Sequence, residues 1–163
     1  MNDPFTTTPS GRSKGFTLVE MIATLIIIAL IAAVSGPRFF DINVFRASGF
    51  YDETLSAVRY AQKLAVATNC NVRVNITATG FALYRPADAA ACGSGIYNTG
   101  VADPSSNEPT FTRSAPPGVG FSTSPVTPNI IFSGDGRASA GVTVTVGGKS
   151  FNVIAETGFV QRQ

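Results

Sequence analysis

The spacing of apolar residues changes twice along this chain. Residues 16–34, FTLVEMIATLIIIALIAAV, are almost wholly apolar, with no polar face to turn to water. At 1.5 Å rise per residue such a run spans roughly 30 Å of hydrocarbon, and its length predicts a helix rather than a strand. From Arg38 to about Thr68 the pattern turns amphipathic. Leu55, Val58, Ala61 and Ala65 recur at three- and four-residue steps, the spacing of one helix face. The small side chains of Ala57, Ala61, Ala65 and Ala67 let that face approach a sheet closely. Beyond Asn71 the period falls to two: Val72, Val74 and Ile76 alternate with Arg73, Asn75 and Thr77, which predicts a half-buried strand.

The punctuation between these stretches sets further expectations. Pro37 removes one helical hydrogen bond and bends the helix that contains it. The helix is expected to continue through it, since the following pattern is again helical; a stop at Ser35 is the simpler alternative. Ser48-Gly49 permits a second break. Asn69, tolerant of the left-handed conformation, caps the helix. Thr79-Gly80 turns the first strand into a partner running from Phe81 to Arg85, and Pro86 ends it. Residues 88–128 are rich in Gly, Pro, Ser and Asn and are read as a solvated variable loop, with a partner-contact surface as the alternative and short strands at 94–97, 110–113 and 119–122. A strand at 129–133, a turn at Gly134-Asp135-Gly136, a hairpin over Gly147-Gly148 joining 142–146 to 150–155, and a closing segment at 158–160 predict an antiparallel β meander. The fold class is α+β: a long N-terminal helix, apolar in its first half and amphipathic in its second, packed on an antiparallel sheet domain.

Glu20 breaks the apolar run. An unpaired carboxylate in hydrocarbon costs on the order of 3 kcal/mol or more, so a partner is expected, the alternative being that Glu20 snorkels to the interface or is protonated. No basic residue follows before Arg38, so the helix offers no cation one turn further on. Arg12 and Lys14 precede the run without a nearby acid apart from Asp3, a bias that keeps the N-terminus cytoplasmic and sends the remainder across. A secretory signal peptide shares the basic start and apolar core. Against it stand the long apolar run, the internal acid and a poor cleavage sequence at Ala32-Ala33-Val34.

Residues 14–20, K-G-F-T-L-V-E, resemble the processing site of type IV prepilins, the family of pilins and of the pseudopilins of type II secretion. The resemblance implies cleavage by prepilin peptidase between Gly15 and Phe16 and N-methylation of Phe16. It also supplies Glu20 with a partner, the amino terminus of Phe16 on a neighbouring subunit; two costly charges are cheaper paired than apart. It gives Pro37 the role of the helix kink common in such subunits. The implied organisation is a cleaved cytoplasmic leader (1–15), a transmembrane helix (16–35), its amphipathic continuation (36–69) and a periplasmic β domain (70–163), placed in the bacterial inner membrane and then in a filament. The implied partners are other pilin or pseudopilin subunits, the peptidase and the inner-membrane assembly platform.

Composition narrows the remaining classes. The chain holds 12 basic and 10 acidic residues; without Arg12, Lys14 and Asp3 of the leader, 10 and 9 remain. That balance does not predict a polyanion partner. With no histidine and only two cysteines, most zinc sites and every histidine-dependent triad are excluded. Ser94, in C-G-S-G-I, lacks the spacing of a nucleophile elbow. Asp52-Glu53 reads as a solvated helix face, and Gly134-x-Gly136 is followed by no helix that could hold a phosphate. No enzyme, cofactor or metal is expected. Cys70 and Cys92 would meet an oxidising compartment after export. A disulfide between them is expected to pin the long loop to the helix end; two free buried thiols are the alternative.

Finer resemblance covers most of the chain. LSAVRYAQKLAVATNCNVRV (55–74), IIFSGDGR (130–137) and the closing TGFV are similar to the GspH/FimT group of minor pilins. PRFFD (37–41) and GFYDE (49–53) look closer to the MshC-type minor prepilins of the mannose-sensitive haemagglutinin (MSHA) pilus. The expectation is a minor pilin of MSHA type. The alternatives are a GspH-like pseudopilin of type II secretion and a FimT-like DNA-binding subunit using Arg73, Arg85 and Arg137. The glycine-arginine-x-arginine motif of DNA-binding relatives is replaced here by Gly158-Phe159-Val160-Gln161, which makes nucleic acid an unlikely partner.

Overall fold

The computed structural model describes residues 15–39, 42–93, 95–106, 108–127 and 129–163. The polar leader with Arg12 and Lys14, and Ser94, lie outside them. The chain divides into two compact units, residues 1–41 and 42–163.

The first unit is helix α1 (Leu18–Phe39), 22 residues long. It does not stop at Ser35 but runs through Gly36 and Pro37. Its large apolar side chains are exposed on every side, from Leu18 and Val19 to Leu30 and Ile31. A helix apolar all round has no core of its own to face. Its side chains are described as far as Ala33, and among the described residues no helix is long and apolar enough to cross a membrane by itself.

The second unit begins with α2 (Ile42–Thr68), 27 residues without a break at Ser48-Gly49. The predicted stripe is its buried face: Leu55, Val58, Ala61 and Ala65 are all inside, joined by Phe50 and Tyr51. Thr54 is buried among them and donates its hydroxyl to the Phe50 carbonyl at 2.7 Å, so no polar atom is stranded. The helix ends in a left-handed residue, Asn69, at φ 50°. The Asn69 N–H reaches the Val66 carbonyl at 3.3 Å and the Cys70 N–H reaches that of Ala65 at 3.1 Å. This pair of bonds satisfies two orphan carbonyls of the last turn, with asparagine in the place glycine most often takes.

Among the described residues nine strands follow, in two sheets. The first holds β1 (Val72–Thr77), β2 (Gly80–Arg85), β3 (Thr99–Gly100), β4 (Thr112–Ser114) and β6 (Asn129–Phe132), in the order β3-β2-β1-β6 with β4 also on β2. The second holds β5 (Phe121–Ser124), β7 (Val142–Val146), β8 (Lys149–Val153) and β9 (Val160–Arg162), in the order β5-β7-β8-β9. Every pairing is antiparallel. One buried cluster includes residues of α2 and of both sheets. Phe50 on the helix meets Phe121 edge-on at 5.4 Å and Phe81 at 6.0 Å, so one aromatic side chain links the helix to both sheets.

Two expectations need correction. The C-terminal half is not a single meander. Strand β6 returns to β1, with Val72 opposite Phe132, while β7–β9 form the second sheet. Period-two patterning fixes which side chains of a strand face the core but not which distant strand it joins. The stretch 88–128 is not a solvated loop either. Tyr97, Val101, Phe111, Val119 and Phe121 are buried, and so is Asp103. Its strands also fall elsewhere: β3 lies beyond the expected 94–97, and β4 and β5 start two residues later than expected. At Gly100 a Cβ would sit 1.9 Å from Thr110 Oγ1, so glycine there permits the crossing of two backbone segments.

Candidate assembly site

In the first unit, Gly15, Phe16 and Thr17 lead irregularly into α1. Among the described residues a Cβ on Gly15 would meet nothing within 4 Å, so they give no reason for glycine at that position. Phe16 is 77% exposed. Thr17 precedes the helix, and its Oγ1 accepts the Glu20 N–H at 3.2 Å. The run Thr17-x-x-Glu20 is the spacing of a capping box, legible in the sequence although the charge alone drew notice there. Glu20 thus lies in the first turn of α1, where the helix N-terminus favours an anion. It is exposed and forms no ion pair among the described residues. Its carboxylate therefore stands in the first turn of the helix without an ion-pair partner among the described residues. Pro37 lies within α1, two residues before its end.

In the second unit, Cys70 and Cys92 are joined by a disulfide. It ties the end of α2 to the short 3₁₀ turn Ala89–Ala91, which Asp88 caps by accepting the Ala90 N–H at 2.8 Å. The segment after β2 is held by more than this bond. Asn71 donates its N–H to the Cys92 carbonyl at 3.1 Å. Arg73 donates to the Tyr97 carbonyl at 2.9 Å, with its guanidinium 5.1 Å from the ring centres of both Tyr84 and Tyr97. Stacking on two tyrosines is a use that suits arginine's flat cation.

A second tie binds the 101–113 segment to α2. Arg113 donates through Nε to Glu53 and through Nη2 to Asp103, each at 2.5 Å. Asp103 also accepts the N–H and hydroxyl of Ser105 and the hydroxyl of Ser106. These bonds from Ser105, together with Arg113, hold the Asp103 carboxyl well below the usual carboxylate range. The same pairing pushes Arg113 up. A buried carboxylate with every lone pair engaged is a rigid joint. Asp52 and Glu53, read as solvated, are both engaged: Asp52 pairs with Arg162 at the surface and Glu53 with Arg113. Their place at the start of the α2 stripe gave no sign of partners some 60 and 110 residues away.

The three arginines of the DNA-binding alternative have different surroundings. Arg73 is held between two tyrosines, Arg137 lies 3.8 Å from Asp135, and Arg85 is exposed at the end of β2. Among the described residues no group of three His, Cys, Asp or Glu is placed to hold a metal ion.

Comparison with known proteins completes the assignment. Residues 10–36 match the prokaryotic N-terminal methylation motif, and residues 52–157, about two thirds of the chain, match the type II transport protein GspH family. The type IV narrow pilus major component PilA5 of Thermus thermophilus is 39% identical over 54 residues, which cover 33% of this chain and 47% of that protein. The chain therefore matches about half the length of that relative. The type IV minor pilin FimU of Pseudomonas aeruginosa superposes with a TM-score of 0.52 over 71% of this chain and 87% of FimU, at 11% identity. That likeness speaks to the fold, two helices followed by antiparallel sheets. An N-terminal methylation motif at the start of an all-round apolar helix, ahead of a GspH domain with the fold of a minor pilin, makes this chain a member of the GspH family among the type IV pilins and pseudopilins.

Proposed function

We propose that this chain is a minor type IV pilin, of MSHA type, whose work is assembly rather than catalysis. The observation that carries the reading is α1: a methylation-motif helix with its apolar side chains exposed all round and an unpaired Glu20 in its first turn. Prepilin peptidase cleaves between Gly15 and Phe16 and methylates Phe16. Helix α1 then holds the subunit in the inner membrane, with the N-terminus cytoplasmic and residues 42–163 periplasmic, until the assembly platform extracts it. In the filament, Glu20 takes the amino terminus of Phe16 of an adjacent subunit as its partner. The openness around Gly15 supports this, since what requires glycine there is then the peptidase rather than the fold. Pro37 relieves the helix where the membrane half meets the half that carries the β unit.

The experiment is N-terminal sequencing of the protein recovered from membranes, with Glu20→Ala beside it. A methylated phenylalanine at the front end is expected. Glu20→Ala is expected to mature normally and to be missing from sheared filaments. A start elsewhere than Phe16 overturns the processing claim, and normal incorporation of Glu20→Ala overturns the pairing claim.

A second reading, a type II secretion pseudopilin, is favoured by the GspH match over residues 52–157. Deletion of the chain separates the two. Loss of surface filaments with normal export supports the pilus, and the reverse supports secretion.

A further inference from the structure

We propose that the end of α2, the disulfide and the segment leaving β2 form a binding site for a small apolar carboxylate. Together they enclose a cavity of about 330 Å³. That volume lies at the lower end of small-molecule sites, which are mostly apolar with a few converging polar groups. The floor is apolar: Val72 and Val101 are buried at 1% and 3% exposure, and Leu64 is packed against the core. Cys70 and Cys92 form one wall. That wall is covalent, so the cavity's shape does not depend on side-chain packing alone.

Two polar groups line the same cavity without other work to do. Arg85 is exposed at its rim and, among the described residues, its side chain makes no hydrogen bond or ion pair. Tyr60, one helical turn before Leu64, has its ring 6.3 Å from Phe111, and its hydroxyl has no partner among the described residues. Two acids adjoin this lining in sequence, and Asp103 is engaged by Ser105, Ser106 and Arg113. Asp88 is committed to its 3₁₀ turn. The cavity therefore offers a cation and a hydroxyl above an apolar floor. A guanidinium without an ion-pair partner of its own and a second donor recognise a carboxylate, and the floor takes its apolar body. The site stands whether the filament is a pilus or a secretion pseudopilus.

The test is methyl NMR of the full chain in detergent micelles, titrated with isovalerate, isoamylamine and isoamyl alcohol, which share one apolar body. Isovalerate is expected to shift the methyls of Leu64, Val72 and Val101 saturably, with the alcohol weaker and the amine weakest. Arg85→Gln is expected to weaken isovalerate about tenfold and leave the alcohol unchanged, with Arg85→Lys in between. Tyr60→Phe keeps the ring on Phe111 and is expected to lose several-fold. A peptide N-acetyl-Gly-Gly-Leu, as free acid and as amide, separates a chain terminus from a free metabolite: tighter binding of the free acid than of isovalerate assigns the site to a polypeptide C-terminus, and weaker binding to a small molecule. Equal response to acid and amine, or no saturable shift at those three methyls, overturns the proposal.

Discussion

The two helices of this chain are of comparable length, 22 and 27 residues, and treat their apolar side chains in opposite ways. In α2, Leu55 is 1% exposed and Val58, Ala61 and Ala65 are fully buried; in α1, Ile26, Ile27 and Ile28 are each more than half exposed. The reason is pattern rather than composition. A stripe at three- and four-residue steps can be covered from one side by a sheet, and the chain supplies that sheet. A helix apolar on all faces must be surrounded, and no segment of one small domain can surround it. The lesson is that α2 stabilises the β unit, whereas the apolar side chains of α1 are left uncovered by the described residues.

The sharpest way to break this contrast is to place one charge in each helix. Val58→Asp puts an unpaired carboxylate in the core, at a cost of several kcal/mol against a typical total stability of about 5–15 kcal/mol. It is expected to abolish cooperative unfolding of the β unit by circular dichroism. Ile27→Asp is expected to leave that transition in place and instead lower retention in the membrane fraction. If both move the unfolding midpoint alike, the helices do not play different parts.

A smaller effect sharpens the β unit's side of the comparison. Cys70→Ser with Cys92→Ser removes a cross-link between residues 22 apart, worth about 3 kcal/mol by chain entropy. Urea titration of the double variant is expected to show that loss; a midpoint unchanged from the oxidised wild type would show that the Arg73 stack and the Asn71–Cys92 backbone bond suffice.

The Asp103 joint gives the β unit a pH signature. Its carboxyl titrates lower when folded than the roughly 3.9 of an unfolded chain. The folded state therefore prefers the ionised form. The contribution is complete above about pH 4 and fades as pH falls below it toward the folded-state value. Urea midpoints at pH 7, 4 and 2.5 are expected to fall more steeply for the wild type than for Asp103→Asn; parallel curves would remove the joint from the account. Smallest of all is Asp52→Asn. The Asp52–Arg162 pair is more than half exposed on both sides, and its loss is expected to cost no more than about 0.5 kcal/mol in the same titration.

Much of this contrast was legible before any coordinates. The apolar run, the α2 stripe, the Asn69 cap and the alternation of β1 all follow from local periodicity and single-residue conformational preference, which act within a few residues. So does the capping spacing at Thr17 and Glu20. The 88–128 stretch was misjudged because Gly, Pro and Ser signal turns but say nothing of what lies between them. Val101 and Phe111 are single apolar residues that look incidental until Val101 is seen to bond both Leu83 and Phe111 through the backbone.

By itself, then, the order of residues determined the helices, their differing faces, the α+β class and the position of the lone acid in α1. Those depend on interactions between near neighbours along the chain. The tertiary structure alone decided that β6 joins β1, that the later strands form a second sheet, that Asp103 meets Arg113 and Glu53, and that Tyr60 and Arg85 line one cavity. These pairings join residues far apart in sequence. Each exists because the whole fold offsets the entropy of closing the chain between them, a sum over many contacts that no local pattern encodes.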